Sequence, residues 1–221
     1  LRTVIEQLLT IRYIHHSGKP GSEVAYMQKH PDIYQQIQYF PEMEASLWEN
    51  KKWERRVHFK YRAFLMKDDT TILHQGIFNA QEIGFDPLNH VLILENESFK
   101  QAQQSIPSQE SSKKEWTIPV MTHEKNNQFQ IDFKTNTSGY LVIADQYFPG
   151  WKAFDNGKEI PILTANYLQK ALRVGPGNHT ITLKYLPTFF YLGLTLSVGT
   201  AILLLVFITP KIQAQRGLSP S

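Results

Sequence analysis

Hydrophobic positions change their spacing along this chain, and the changes mark its elements. In the second half apolar and polar residues alternate: Phe129, Ile131 and Phe133 are interleaved with Gln130, Asp132 and Lys134. That period predicts a half-buried strand over residues 128–134. Ile181, Leu183 and Tyr185 alternate with Thr180, Thr182 and Lys184 in the same way. Residues 140–145 (YLVIAD) are more continuously apolar, which suits a central strand. Asn156-Gly157 lies between the extended runs 151–154 and 160–163 and predicts a hairpin, because both residues tolerate positive φ. Gly175-Pro176-Gly177-Asn178, between 168–174 and 179–185, predicts a second hairpin. Six or so short strands with turns at this spacing predict an antiparallel β-sandwich over residues 115–185.

Alternation then stops. Residues 185–208 read YLPTFFYLGLTLSVGTAILLLVFI, and no charged residue occurs between Lys184 and Lys211. A hydrocarbon core of ~30 Å needs about 20 apolar residues in a helix, so this run predicts a single C-terminal transmembrane α-helix over 186–209. Its length and the glycines at 193 and 199 argue against a buried core helix. Tyr185, Phe189, Phe190 and Tyr191 crowd the first end, where amphipathic rings favour the interface. Lys211 and Arg216 follow the second end with no acidic residue after them, which places the tail 210–221 in the cytoplasm. Residues 1–185 are then extracytoplasmic. Pro187 follows the last strand so closely that the domain must rest against the bilayer or against other spans of its own protein.

The first half is less regular. Residues 1–96 predict a small α+β unit: a strand over 8–14, a polar loop over 18–45 with a helical segment near 32–39, and two strands within 45–66. Asp68-Asp69-Thr70 offers helix N-caps, Asp86-Pro87 closes the unit, and 91–94 is a buried strand. Residues 97–114 (ESFKQAQQSIPSQESSKK) have no apolar period and predict a polar linker or loop. The fold class is therefore mixed, an α+β unit and a sandwich followed by one membrane helix.

Composition removes several functions. A net charge of +3 spread evenly over 221 residues does not suggest nucleic acid. Cysteine is absent, which excludes disulfides and thiolate metal sites, and the eight histidines show no ligand spacing, so no metal is expected. Gly-x-Ser-x-Gly, Walker A and Gly-x-Gly-x-x-Gly are missing, and no catalytic residue is expected in this chain. Asp145 and Asp155 flank an aromatic loop as a glycosidase pair would, but a strand end and a turn start are ordinary positions for aspartate. The loop itself, Asp145-Gln146-Tyr147-Phe148-Pro149-Gly150-Trp151, has three readings. It is a bend packed on the core, a sugar-binding surface, or an aromatic foot at the membrane interface. Asp145, Tyr147, Trp151 and Asp155 are accordingly the candidate substrate-binding residues. Glu49, Asn50, Arg55, Arg56 and Arg62 read as solvated charge and polarity.

Residues 139–153, GYLVIADQYFPGWKA, resemble a signature of the YfhO family of bacterial membrane proteins, in which a strand leads into a Tyr-Pro-Gly-Trp bend and then an Asp-Gly turn. Val174-Gly175-Pro176-Gly177-Asn178-His179, Leu183-Lys184-Tyr185-Leu186-Pro187 and Phe190-Tyr191-Leu192-Gly193 continue the likeness into the last helix. Residues 8–14, Trp48-Glu49-Asn50 and Arg62-Ala63-Phe64-Leu65 look like its upstream segments, although Tyr61 stands where the family usually has proline. The resemblance implies a multi-spanning glycosyltransferase of the GT-C type. Such proteins transfer sugar from a polyprenyl-phosphate donor to a cell-envelope polymer such as teichoic acid. Their catalytic carboxylates lie in early outer loops, so none is carried over to this chain. It would be the distal outer domain and last span, an acceptor-binding or structural cap. Its partners would be the bilayer, an N-terminal transmembrane bundle of the same protein and the envelope glycopolymer, and this part would hold no cofactor.

The rival reading is a membrane-anchored extracellular carbohydrate-binding or interaction module with no enzymatic role. Leu1 is not an initiator, which leads to the expectation that earlier spans precede it. Reading the gene upstream separates the two. About ten or more further spans with an acidic residue in the first outer loop are expected; a signal peptide directly before Leu1 would instead favour the anchored module.

Overall fold

A computed structural model describes residues 10–17, 21–72, 75, 77, 79–80, 82–106 and 113–216, with side chains described as far as Val206. Three sheets account for the strands described. Strands β1 (Tyr13–Ser17), β2 (Tyr34–Phe40) and β3 (Ala45–Asn50) form an antiparallel sheet in the order β1-β3-β2. Helix α1 (Ser22–Lys29) covers it, burying Val24 and Met27, one turn apart, against Tyr34 and Trp48. The expected strand over 8–14 lies partly outside the described residues, and the observed one runs on to Ser17. The helical segment expected near 32–39 is strand β2: its glutamines and tyrosines have no helical apolar face, and pairing with β3 holds it extended.

Residues 57–66 contribute two strands, β4 (Val57–Lys60) and β5 (Arg62–Met66), so the region 45–66 holds three strands where two were expected. Asp68 caps a helical turn at Asp69–Thr71, its side chain accepting from the Thr71 amide, as expected. Strand β6 (His90–Leu94) follows.

Two larger sheets form the sandwich. One has six strands in the order β4-β9-β13-β12-β6-β5 and the other five in the order β11-β10-β14-β8-β7. The strands after residue 113 are β7 (Val120–Lys125), β8 (Gln128–Thr135), β9 (Gly139–Gln146), β10 (Trp151–Asp155), β11 (Lys158–Ile160), β12 (Leu163–Ala165), β13 (Gln169–Val174) and β14 (Gly177–Tyr185). Phe129, Ile131, Ile181 and Leu183 from one sheet meet Phe59, Leu141, Ile143 and Leu172 from the other, which is the inward half of each alternation. The pairing is antiparallel except for β5 with β6. Strands from both sides of residues 97–114 thus share the six-stranded sheet.

Residues 97–105, expected as linker, form helix α2 (Glu97–Ser105). Asn96 caps it by accepting from the Phe99 amide, and Phe99 and Ala102 cover the outer face of the six-stranded sheet. That cover explains the unbroken apolar run at 140–143: Leu141 and Ile143 face the other sheet while Tyr140 and Val142 face the helix.

The hairpin at Asn156-Gly157 forms as expected, with φ of 48° and 85°, and joins β10 to β11. The second expected hairpin does not. β13 pairs with β9 and β12, whereas β14 pairs with β8 and β10, so Gly175-Pro176 carries the chain from one sheet to the other. Turn residues mark a reversal, but which neighbour a strand then pairs with is decided by burial on the two faces.

After Tyr185 only Leu186 and Pro187 separate β14 from helix α3 (Thr188–Arg216). Its segment Thr188–Val206 has a mean hydropathy of 2.2 and no burial against the rest of the protein. It is long and apolar enough to cross a membrane.

Gly139, at the start of β9, tests the sandwich packing. A Cβ there would overlap the Phe59 ring and come within 2.6 Å of the Lys60 carbonyl oxygen, which is backbone and cannot step aside. Gly139→Ala should therefore cost about 1–3 kcal/mol through overpacking. Urea unfolding of the detergent-solubilised chain measures this, and an unchanged midpoint would contradict the packing.

Candidate functional site

The apolar run of β9 ends at Asp145, at the end of the sandwich from which α3 departs. Beyond it the Tyr147 amide donates to the Leu168 carbonyl at 2.7 Å. The chain then bends at Pro149-Gly150. Gly150 has φ +107°, and a Cβ on it would lie 3.1 Å from the Tyr185 ring and 3.3 Å from the Pro187 Cα, so the bend requires glycine. The Leu186 amide closes the contact by donating to the Gly150 carbonyl at 2.7 Å. Residues 145–151 thus cross from the six-stranded to the five-stranded sheet directly beside the root of the membrane helix.

Asp145 and Trp151 line one cleft of 280 Å³ together with Arg56, Glu124, Lys125 and Phe129. Arg56 clamps both Asp145 oxygens, Nε to Oδ1 at 2.7 Å and Nη2 to Oδ2 at 2.7 Å, and its Nη1 donates to Glu124 at 2.6 Å. This bidentate geometry fixes the carboxylate in place. The buried Lys170 stands behind it, with Nζ 3.8 Å from Asp145 Oδ2, donating to the Gln146 carbonyl and lying 4.8 Å from the Trp151 ring centroid. Burial pushes the Lys170 pKa down, against the attraction of Asp145 and together with the repulsion of Arg56. The Trp151 ring also packs on Phe129 and Tyr185, at centroid distances of 5.7 and 5.4 Å. Tyr147 packs against the edge of the same core.

Asp155 is elsewhere. Four residues along β10 at about 3.3 Å each place it roughly 13 Å from Trp151, and it lines a different cleft, of 420 Å³, with Lys158, Arg173 and Gly175. His179 Nδ1 lies 2.8 Å from Asp155 Oδ2, and its Nε2 lies 2.9 Å from the Gly175 carbonyl. A carbonyl accepts only, and so does an ionised carboxylate, so both contacts favour the doubly protonated ring. Its ring stacks on Phe133. Asp155 Oδ1 is buried with no hydrogen-bond partner among the described residues. The two aspartates therefore belong to separate clefts and separate cationic partners.

Sequence reasoning missed Arg56, Glu124, Lys170 and His179. Arg56 reads as solvated charge in the sequence; its partner is 89 residues away, and no local spacing announces that. Asn50, in the same expected cluster, is buried and donates to the Ile11 carbonyl. A further polar group pairs the half-buried Glu54 with the buried Lys60 at 2.5 Å, braced by the Leu88 carbonyl. Burial raises the Glu54 pKa against the pull of Lys60, and burial with the Lys60 charge pushes neighbouring His58 down to about 4. That cluster joins β4 to the 86–89 loop and reads as structural.

His179 makes the fold pH-dependent in a definite direction. Burial, the largest effect, opposes its charge, but the hydrogen bond and charge of Asp155 and the Gly175 carbonyl outweigh it, and the pKa is raised. A raised value stabilises the fold fully below the unfolded pKa of about 6.5, and the contribution fades as pH rises through the folded value. The melting-temperature gap between the parent chain and His179→Gln should thus narrow as pH rises above about 6.5. A gap independent of pH would contradict a charged His179.

Comparison with known proteins adds one match. A family model described as bacterial membrane protein YfhO matches residues 73–197, more than half of the chain. No curated protein and no solved structure matches.

Proposed function

This chain belongs to the YfhO family of bacterial membrane proteins, and on that premise we propose that it is the outer domain and final span of a membrane glycosyltransferase. The parent enzyme takes sugar from a polyprenyl-phosphate donor and transfers it to a cell-envelope polymer such as teichoic acid. The observation that carries this reading is the family match, which runs from residue 73 through the sandwich and into α3. In this arrangement residues 1–185 face outward and the C-terminus is cytoplasmic, which the cations Lys211 and Arg216 after the helix support. The bilayer and the N-terminal transmembrane bundle of the same protein are its standing partners, and the polymer its transient one.

Within that enzyme the domain is a non-catalytic cap that contacts acceptor. A general base needs a carboxylate oxygen within hydrogen-bond reach of the hydroxyl it activates. Asp145 has both oxygens engaged by Arg56, and Asp155 is tied to His179. Of the four candidate contacts, Asp145 and Trp151 share a cleft whose ring, carboxylate and cations suit a polymer of hydroxyls and phosphates. Tyr147 packs on the sandwich core and does not line that cleft, and Asp155 serves a separate surface.

The test uses the parent protein. Removing a catalytic base costs about 10²–10⁴ in rate, whereas Asp145→Asn and Asp155→Asn should each retain transfer within about tenfold of the parent per folded molecule. Sugar analysis of the purified polymer is the readout. A loss of catalytic size with folding intact would overturn the non-catalytic role. If deleting the gene leaves the polymer's sugar content unchanged, the transferase reading fails and an anchored carbohydrate-binding module takes its place.

A further inference from the structure

Three exposed apolar side chains gather where the sandwich meets α3. Phe148 is 52% exposed, Leu168 47% and Leu186 39%. They sit on three different loops held together by backbone hydrogen bonds: Tyr147 amide to Leu168 carbonyl, and Leu186 amide to Gly150 carbonyl. Neighbouring Tyr147 turns to the core while Phe148 stays in solvent, so the exposure is not a by-product of a loose loop. We propose that Phe148, Leu168 and Leu186 form a foot that dips into the interfacial layer of the lipid bilayer and fixes the angle of the sandwich on the membrane.

The dimensions select the bilayer as the occupant. The uncharged apolar run from Thr188 to Ile208 has 21 residues, which at 1.5 Å each span about 32 Å and match a hydrocarbon core of ~30 Å. Thr188 is therefore at the boundary of the hydrocarbon, and Pro187 is in the interfacial layer. Gly150 is locked against Pro187, a Cβ at Gly150 lying 3.3 Å from the Pro187 Cα. Phe148 is two residues from Gly150 and so within about 7 Å of it. The interfacial layer is itself roughly 5–7 Å deep on each side, the same scale as that separation, and the Tyr147–Leu168 hydrogen bond ties Leu168 to the same loop. The Trp151 ring packs on the Tyr185 ring at the root of α3, where interfacial aromatics are favoured. The foot is thus continuous with the surface of the membrane helix. Its existence does not depend on which side of the membrane the sandwich occupies, nor on glycosyl transfer.

The chain contains no cysteine, so single spin labels can be placed directly. Phe148→Cys, Leu168→Cys and Lys158→Cys are labelled in the full chain. Each is reconstituted in nanodiscs of phosphatidylglycerol and phosphatidylethanolamine, with near-ultraviolet circular dichroism confirming the fold. Power saturation then compares collisions with oxygen, which concentrates in lipid, and with a water-soluble nickel chelate. Labels at 148 and 168 are expected to favour oxygen, and the label at 158, on the distant hairpin beside Asp155, to favour nickel. Preference for nickel at 148 and 168 would overturn the foot by placing them in water. Exclusion of both reagents there would overturn it too, by showing a protein partner in place of lipid. Should Phe148→Cys fail to fold, Leu168→Cys decides alone.

Discussion

Strand β14 does two jobs, and the rest of the molecule follows from their combination. It is the middle strand of the five-stranded sheet, paired along its length with β8 and through its second half with β10. Two residues later the same chain enters the membrane helix. A strand buried in a sheet cannot pivot, so the usual freedom of an anchored domain is lost at this joint. The Gly150 bend reinforces it from the side, because it packs on Tyr185 and Pro187 and accepts the Leu186 amide. Whatever the sandwich does, it does at a set distance from the start of α3.

That constraint ranks the two clefts. The one lined by Arg56, Asp145 and Trp151 lies beside the joint with α3, whereas the one lined by Asp155 and Arg173 lies farther along the strands. In the proposed lipid-linked transfer, a cleft beside the membrane helix is the one better placed to meet acceptor. Its charges are already balanced against one another: Arg56 on Asp145 and Glu124, Lys170 behind Asp145. An arrangement of that kind holds a shape and presents polarity, and it leaves no free nucleophile. The His179–Asp155 pair, by contrast, ties the sheet-to-sheet crossover at Gly175 to the β10–β11 hairpin, a structural task reflected in its burial.

Local signals in the sequence suffice where one interaction range settles the matter. The Asn156-Gly157 hairpin, the alternation of β8 and β14, the Asp68 cap and the terminal helix each depend on residues a few positions apart. They fail where a distant surface decides. Residues 97–105 look like linker because seven of their nine side chains are polar or charged, yet Phe99 and Ala102 suffice to bind the helix to a sheet that the rest of the chain builds. Gly175-Pro176 announces a reversal in both a hairpin and a crossover, so the assignment of β13 and β14 to opposite sheets was invisible.

By itself, then, the sequence determined the class of the protein: a β-rich domain bound for a membrane, with a signature block, 139–153, that leads to its family. Periodicity and the length of an apolar run are local quantities, and the burial they encode is the largest favourable contribution to folding. Only the tertiary structure decided which charges meet. Arg56 finds Asp145 across 89 residues and His179 finds Asp155 across 24, because ion pairs are formed by strands brought together for the sake of their apolar faces. The candidate aspartates were legible as residues; their separation into two clefts was a property of the sandwich alone.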